Sequence, residues 1–221
     1  MEGTLARPGT GHYDAKYFAY QAPIGVFGGW ANLGKFAAYV QPDDAVLDFG
    51  CGGGYLLENL RCRARAGIEV NPVARNEASR RGLEVFSQTA DVPDGWADLL
   101  ISNNALEHTQ HPLQELQALW PKVKPGGRVV FVVPCEAISY AYRPGDPNHH
   151  LYSWSPMCLG NLFTEAGFSV QECKPYIHKW PPHYLWWARW GRRVFDWVCR
   201  LYGRWERSWF QVRLVGRKPK D

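Results

Sequence analysis

The sequence predicts an α/β domain built on a doubly wound, mostly parallel, seven-stranded sheet with helices on both faces. Three observations predict it. Short apolar runs alternate with helix-like stretches from about residue 45 to residue 176, the pattern of successive βαβ units. Prolines stand where helices should begin, at Pro72, Pro112 and Ser155-Pro156. The first apolar run, Val46-Leu47-Asp48-Phe49, ends in a glycine-rich turn, Gly50-Cys51-Gly52-Gly53-Gly54-Tyr55, with a helix-like Leu56-Leu57-Glu58-Asn59-Leu60 behind it. Glycine suits such a turn because a Cβ would hinder positive φ or hold a ligand off the backbone, and ligands of open α/β sheets bind at the carboxyl ends of the strands.

The chain has 221 residues, enough for one domain with an elaboration and a full core. Its 46% hydrophobic and 21% charged content is that of a soluble globular protein, but 14% aromatics with eleven Trp is not usual. Six cysteines (Cys51, Cys62, Cys135, Cys158, Cys173, Cys199) occur without a C-x-x-C pair. This fits a reduced, intracellular protein better than a disulfide scaffold or a zinc site. The first residues lack the apolar region of a signal peptide, and no apolar run reaches the roughly 18 residues of a membrane span. A cytoplasmic protein is expected. The net charge of +4 is uneven: from Lys174 onward 12 Lys and Arg face 3 Asp and Glu, against 13 and 18 before it.

Taken in order, residues 1–12 read as polar and Gly/Pro-containing. Tyr13–Tyr20 reads as a short aromatic helix that Gly25, Gly28 and Gly29 end, and Trp30–Val40 as a second helix ended by Pro42. Residues 1–42 are expected to form a helical lid, with 43–221 the main domain. Strands are expected at 45–49, 66–70, 83–86, 97–102, 128–133 and 168–176. Helices are expected from the glycines to about Arg61, from Pro72 to about Arg81, from Pro112 to about Val123 and from Ser155 to about Ala166. Pro125-Gly126-Gly127 reads as a turn into the fifth strand, 134–154 as irregular, and Phe210–Arg217 as a last strand with the weaker alternation of a sheet edge. An aromatic, arginine-rich segment at about 184–207 precedes it.

Three ligands compete for the glycines. A dinucleotide fingerprint started at Gly50 requires a glycine where Tyr55 stands, and no Gly-Lys-Ser/Thr makes a P-loop. What stands is acid-x-Gly-x-Gly-x-Gly: Asp48, Gly50, Gly52, Gly54. With Glu69 in Ile68-Glu69-Val70-Asn71, Asp91 in Thr89-Ala90-Asp91-Val92-Pro93, the stretch Ser102–His108 and Pro125-Gly126-Gly127 following in order, the chain resembles the class I S-adenosylmethionine-dependent methyltransferases, within the broad small-molecule group around the ubiquinone and menaquinone enzymes. Arg217-Lys218-Pro219 matches their usual end. The resemblance covers about 45–175 and 209–219. It implies a Rossmann-like methyltransferase fold with the last strand antiparallel.

It also implies a donor site. Asp48, Phe49, Gly50, Cys51, Gly52 and Gly54 would form the glycine loop against S-adenosylmethionine. Glu69 would accept hydrogen bonds from both ribose hydroxyls, with Val70 beside it. Asp91 and Val92 would lie near the adenine, and Asn103 and Asn104 beside the methionine part. The sulfonium is cationic, so no uncompensated cation is expected near it, and neither loop carries Lys or Arg. Methyl transfer needs alignment and desolvation rather than a protein nucleophile. What it can use is a base for the acceptor hydroxyl. His150, in Pro147-Asn148-His149-His150, is the first candidate, since histidine titrates near neutrality and this loop commonly helps form the acceptor pocket in the family. His108 follows Glu107 in a Glu-His pair common in the family; it is a second candidate with a structural role as the alternative. Glu107, His108 and His150 also suit a divalent metal by chemistry, but no metal-ligand spacing is clear and no metal is expected.

Nucleic acid is discounted as substrate, because Asn103-Asn104-Ala105-Leu106 is not the Asn/Asp-Pro-Pro-aromatic motif of base-amine methyltransferases. On one helix of 184–207, Arg189, Arg193, Arg200 and Arg204 fall on one side and Trp190, Val194, Trp197 and Trp205 on the other. The segment either covers the sheet and pocket or lies on a membrane surface, which would put the protein at the inner face of the membrane. The expected reaction is methyl transfer to a small or lipid-linked acceptor, with O-methylation of a sugar or glycan precursor preferred. Methylation of a quinone or membrane lipid is the alternative, and a cofactor-binding regulator without turnover a third. The product of the donor would be S-adenosylhomocysteine. Oligomeric state is not legible.

Overall fold

A computed structural model describes residues 15–144, 146 and 148–220. Seven strands form one sheet: β1 Ala45–Phe49, β2 Ala64–Ile68, β3 Glu84–Phe86, β4 Ala97–Asn103, β5 Val123–Glu136, β6 Ser169–Tyr176 and β7 Trp209–Arg217. Their order across the sheet is β3-β2-β1-β4-β5-β7-β6. The first five run parallel, and β7 is antiparallel to both β5 and β6. The predicted doubly wound sheet with an antiparallel last strand is therefore present. One expectation is overturned: β7 is an interior strand, and β6 is the edge. Its weak alternation has another cause, since Val212 and Leu214 are buried on one face while Arg213 pairs with Glu172 across the other.

Both faces are covered because each central strand sends alternate side chains into two cores. Leu47, Leu100, Val129 and Phe131 pack with Leu116 and Leu119 of α5 (Pro112–Leu119) and with Leu159 and Phe163 of α6 (Pro156–Glu165). Val46, Leu99, Ile101 and Val130 pack with Phe36 of α2 (Leu33–Phe36), Leu57 of α3 (Tyr55–Glu58) and Ala78 of α4 (Pro72–Arg80). The caps agree with the sequence. Asn71 accepts from the Val73 N–H ahead of α4, and Ser155 from the Cys158 N–H ahead of α6.

Several boundaries differ from expectation. Strand β2 ends at Ile68, so Glu69 and Val70 stand just past it, and α3 is one turn rather than a helix to Arg61. Strand β5 begins at Val123, and Pro125-Gly126-Gly127 is an irregularity within it: the pairing slips between Ala97 and Leu99. At the N-terminus α1 runs unbroken over Ala15–Ala31, through Pro23 and all three glycines. Those glycines do not end the helix; they let it approach. A Cβ on Gly29 would lie 2.3 Å from the Tyr55 carbonyl oxygen, and one on Gly25 2.8 Å from the Tyr55 ring. The start of the first expected helix, Tyr13, lies outside the described residues.

The 184–207 segment is two helices, not one. α7 (Tyr184–Ala188) and α8 (Arg192–Glu206) are separated at Gly191, which has φ +90°. α8 is held by Phe195 and Cys199, buried with Ala31 against Phe27 and Trp30 of α1. Of the two placements expected for the tryptophan face, packing over the sheet is not the one observed: Trp197 is 63% and Trp205 79% accessible. No helix among the described residues is long and apolar enough to cross a membrane.

Candidate active site

A cleft of about 1080 Å³ opens at the carboxyl ends of β1, β2 and β4, where the strand order reverses. Its floor is the glycine turn. Gly50 and Cys51 N–H groups both donate to the Ile68 carbonyl, at 2.9 and 3.1 Å, tying the turn to the end of β2. Cys51 then packs onto Gly67, where a Cβ would meet its sulfur at 2.2 Å. Gly52 has φ +54°, and a Cβ built on it would touch nothing within 4 Å. It is thus a left-handed position facing open space, where backbone is offered to a ligand. Phe49 and Cys51 line the same cleft, while Gly54, at φ +77°, caps α3 beneath it with Leu83 2.4 Å from its would-be Cβ.

Two carboxylates stand at this floor. Glu69 accepts from the Gly52 N–H at 2.9 Å through one oxygen and from the Asn71 N–H at 2.8 Å through the other. It is thereby aimed across the turn with lone pairs to spare for hydroxyls. Burial raises its pKa, against the pull of those N–H groups. Asp48 is 3% exposed and its Oδ1 has no hydrogen-bond partner among the described residues. Burial first, then the Glu69 carboxylate, push it well above the ordinary carboxylate range. A buried, unpartnered acid beside a second acid is costly alone. A cationic, donor-rich ligand relieves it. The open Gly52 cradle, the aimed Glu69 and the orphaned Asp48 oxygen together fit S-adenosylmethionine.

The next expected contacts shift by three residues. Asp91 is exposed and bound to Ser87 and Gln88 side chains, and Val92 is 1% exposed in the core. Neither lines the cleft; Gln88 and Thr89 do, opposite Val70. The short helical turn Thr89–Asp91 explains this, since it carries its first residues toward the cleft and its last back to the surface and core. Thr89 is held there by a hydrogen bond to Glu115 of α5.

The other end of the cleft is made of polar side chains from remote places. Asn103 ends β4 and Asn104 follows it at φ +54°. Asn103 accepts from Lys35 Nζ at 2.9 Å and Asn104 from Gln211 Nε2 at 3.1 Å. The Leu151 and Tyr152 N–H groups donate to the Glu107 carbonyl, which docks the 148–154 loop and sets the His150 ring 5.1 Å from that of His108. His150 Nδ1 lies 2.6 Å from Glu136 Oε1, at the last residue of β5. His178, just past β6, meets Asp196 of α8 at 3.1 Å. Sequence reasoning missed Lys35, Glu136, His178 and Gln211. Glu136 and His178 were findable, because each stands at the strand end that faces the cleft; Lys35 and Gln211 carried no such signal.

Burial sets the protonation here. It lowers Lys35 to about 7, although Glu107 pulls the other way, and raises Glu107 to about 8. The cleft is lined by two lysines, neither of them in the two loops read from sequence: Lys35, whose charge is weakened and whose ammonium is engaged by Asn103, and Lys179, engaged by Glu206 and Ser208. Glu107 is fully buried, and neither carboxylate oxygen has a hydrogen-bond partner among the described residues. Ligand atoms of Glu107, His108 and His150 lie within 4.8 Å of one another, so among the described residues these three could hold a metal ion. All six cysteines are free.

Comparison with known proteins points the same way. A methyltransferase domain family matches residues 25–172. The ribosomal protein L11 methyltransferase of Ralstonia nicotianae is 35% identical over 101 residues, 42% of this chain and 33% of that protein. The ubiquinone biosynthesis O-methyltransferase of Nitrosococcus oceani is 37% identical over 98 residues, 39% of this chain and 42% of that protein. The chain thus matches less than half the length of either relative. Among solved structures, a possible histamine N-methyltransferase of Thermotoga maritima superimposes with a TM-score of 0.65 at 15% identity, covering 92% of this chain and 95% of the other, a likeness of fold. With the family matched over more than half its length, the chain belongs to the class I S-adenosylmethionine-dependent methyltransferases.

Proposed function

We propose that the chain methylates a hydroxyl oxygen of a small or lipid-linked acceptor, with a sugar or glycan precursor the preferred class. The Glu136–His150 pair carries this reading. A carboxylate on Nδ1 orients the ring, selects the tautomer and stabilises the imidazolium, so that Nε2 takes the acceptor proton. When bound, S-adenosylmethionine supplies the methyl, and the electron pair of its broken C–S bond stays on sulfur in S-adenosylhomocysteine. Glu69, Val70, Gln88 and Thr89 hold the nucleoside half, and Asp48 and Asn103 the amino acid half. His108 packs against His150 and positions it. The segment up to residue 42 serves as a lid, with α1 already seated on Tyr55.

The lining favours a hydroxylated ring. Asn104, Gln211, His108, His150 and His178 surround the acceptor end, with Trp180 as an apolar stacking surface. The second reading, a quinone or membrane lipid, is supported by the similarity to the ubiquinone enzyme. A labelled-methyl assay against free sugars, lipid-linked glycans and quinone precursors separates the two. Label on a glycan hydroxyl is expected. Label on quinone precursors alone would replace the preferred class. His150→Ala is expected to lower kcat about 100-fold or more with S-adenosylhomocysteine affinity unchanged; equal turnover would return His150 to a structural role.

A further inference from the structure

The outer face of α7 and α8 is not covered by any other element among the described residues. Along α8 the inward row is Phe195, Cys199 and Gly203, at the i, i+4, i+8 spacing of one helix face. Gly203 lets the helix lie close: a Cβ there would come within 2.8 Å of the Ile177 side chain. The Cys199 carbonyl accepts from the Lys179 N–H, and Arg192 stacks over the Trp30 ring at 5.3 Å. The helix is thus pinned along its length. Its other row, Val194, Trp197, Leu201 and Trp205, points to solvent at 41 to 79% exposure, and Trp190 in the turn before it and Trp186 of α7 extend it. Scattered exposed apolar residues are ordinary, but a continuous ridge with three tryptophans marks an interaction surface.

Charge decides the occupant. Arg189, Arg193, Arg200, Arg204 and Arg207 are exposed beside the ridge. The segment's two acids are turned away from solvent, Asp196 to His178 and Glu206 to Lys179 and Ser208. A second copy packed by two-fold symmetry would oppose arginine rows to arginine rows. An anionic bilayer answers both components: indole rings settle at the headgroup boundary and guanidinium groups pair with phosphates. We infer that α7 and α8 dock this protein on the surface of an anionic membrane, lying in the headgroup layer without crossing it. The inference does not rest on the acceptor's identity, but it has a geometric consequence. Asp196 of α8 pairs with His178, which lines the cleft, so the docked helix braces that wall from behind.

The test is flotation of the full chain with vesicles of phosphatidylcholine alone or with phosphatidylglycerol added. Binding to the phosphatidylglycerol vesicles at low salt is expected, falling as salt rises. Trp197→Ser/Trp205→Ser should reduce the partition at least tenfold, and Arg200→Gln/Arg204→Gln by roughly fivefold per arginine removed. S-adenosylhomocysteine affinity, unchanged in both variants, reports that they are folded. No binding to anionic vesicles, or equal binding by the tryptophan variant, overturns the inference. So does a dimer without lipid that Trp205→Ser dissolves, since that makes a second copy the occupant. Label on a soluble sugar alongside normal flotation overturns a lipid-linked acceptor and leaves the docking intact.

Discussion

The two ends of the cleft are built by different means. The donor end is backbone: three glycines at positive φ, one carboxylate spanning two N–H groups, and a buried acid, mostly within residues 48–71. The end we assign to the acceptor is side chains: Lys35 from α2, Asn103 at the end of β4 and Asn104 after it, His150 from a loop with Glu136 of β5 behind it, His178 after β6 and Gln211 from β7. Backbone geometry demands particular residues at fixed spacing, because only glycine tolerates those dihedrals without strain. A set of polar side chains carries no such demand on spacing. One chain can therefore keep a legible donor end and an illegible acceptor end.

The largest expected effects test the donor end. Gly52→Val places a branched side chain at φ +54° in the space meant for ligand, and Glu69→Ala frees two N–H groups. Each should weaken S-adenosylhomocysteine about 100-fold or more by calorimetry, a loss on the order of 3 kcal/mol. Retained affinity in both would break the contrast, since the donor end would then depend on side chains elsewhere.

A smaller effect sharpens the acceptor end. Burial holds Glu107 at about 8, so between about 4.5 and 8 the folded chain keeps a proton that the unfolded chain releases. Its contribution to stability therefore falls as pH rises through that window. Lys35, lowered to about 7, acts oppositely from about 7 to 10.5, where the unfolded chain holds the proton instead. Glu107→Gln should gain in Tm relative to the parent as pH rises from 5 to 8. A constant difference would mean that Glu107 keeps its charge when buried. The smallest effect belongs to the exposed ridge. Trp205→Ser should change stability by no more than about 0.5 kcal/mol in chemical denaturation. A larger loss would show that Trp205 packs inside the fold.

The fold was largely legible. Alternating apolar runs and proline starts located every strand and the helices around the sheet. The errors share one cause: a residue type has more than one use. Gly25, Gly28 and Gly29 read as helix breakers, yet α1 runs through all three and needs Gly25 and Gly29 to seat on Tyr55. Asp91 and Val92 were chosen as an acid and its neighbour at about the right place, but the helical turn at Thr89 points Gln88 and Thr89 inward instead. The α8 tryptophans left two uses open, a face packed over the sheet or an outer surface. Phe195, Cys199 and Gly203 took the interior, because only a row ending in glycine approaches the 177–179 chain so closely.

By itself the sequence determined the sheet, the donor turn and, through Asp48 and Glu69, the kind of donor. These are local: each follows from residues adjacent in the chain and from dihedral limits that act within a few bonds. The tertiary structure alone decided that β7 lies between β5 and β6, that Glu136 grips His150, that Lys35 is buried against Asn103 and that α8 turns its tryptophans outward. Each of those joins residues distant in sequence, and which face of an element is buried depends on what packs against it, not on its own composition.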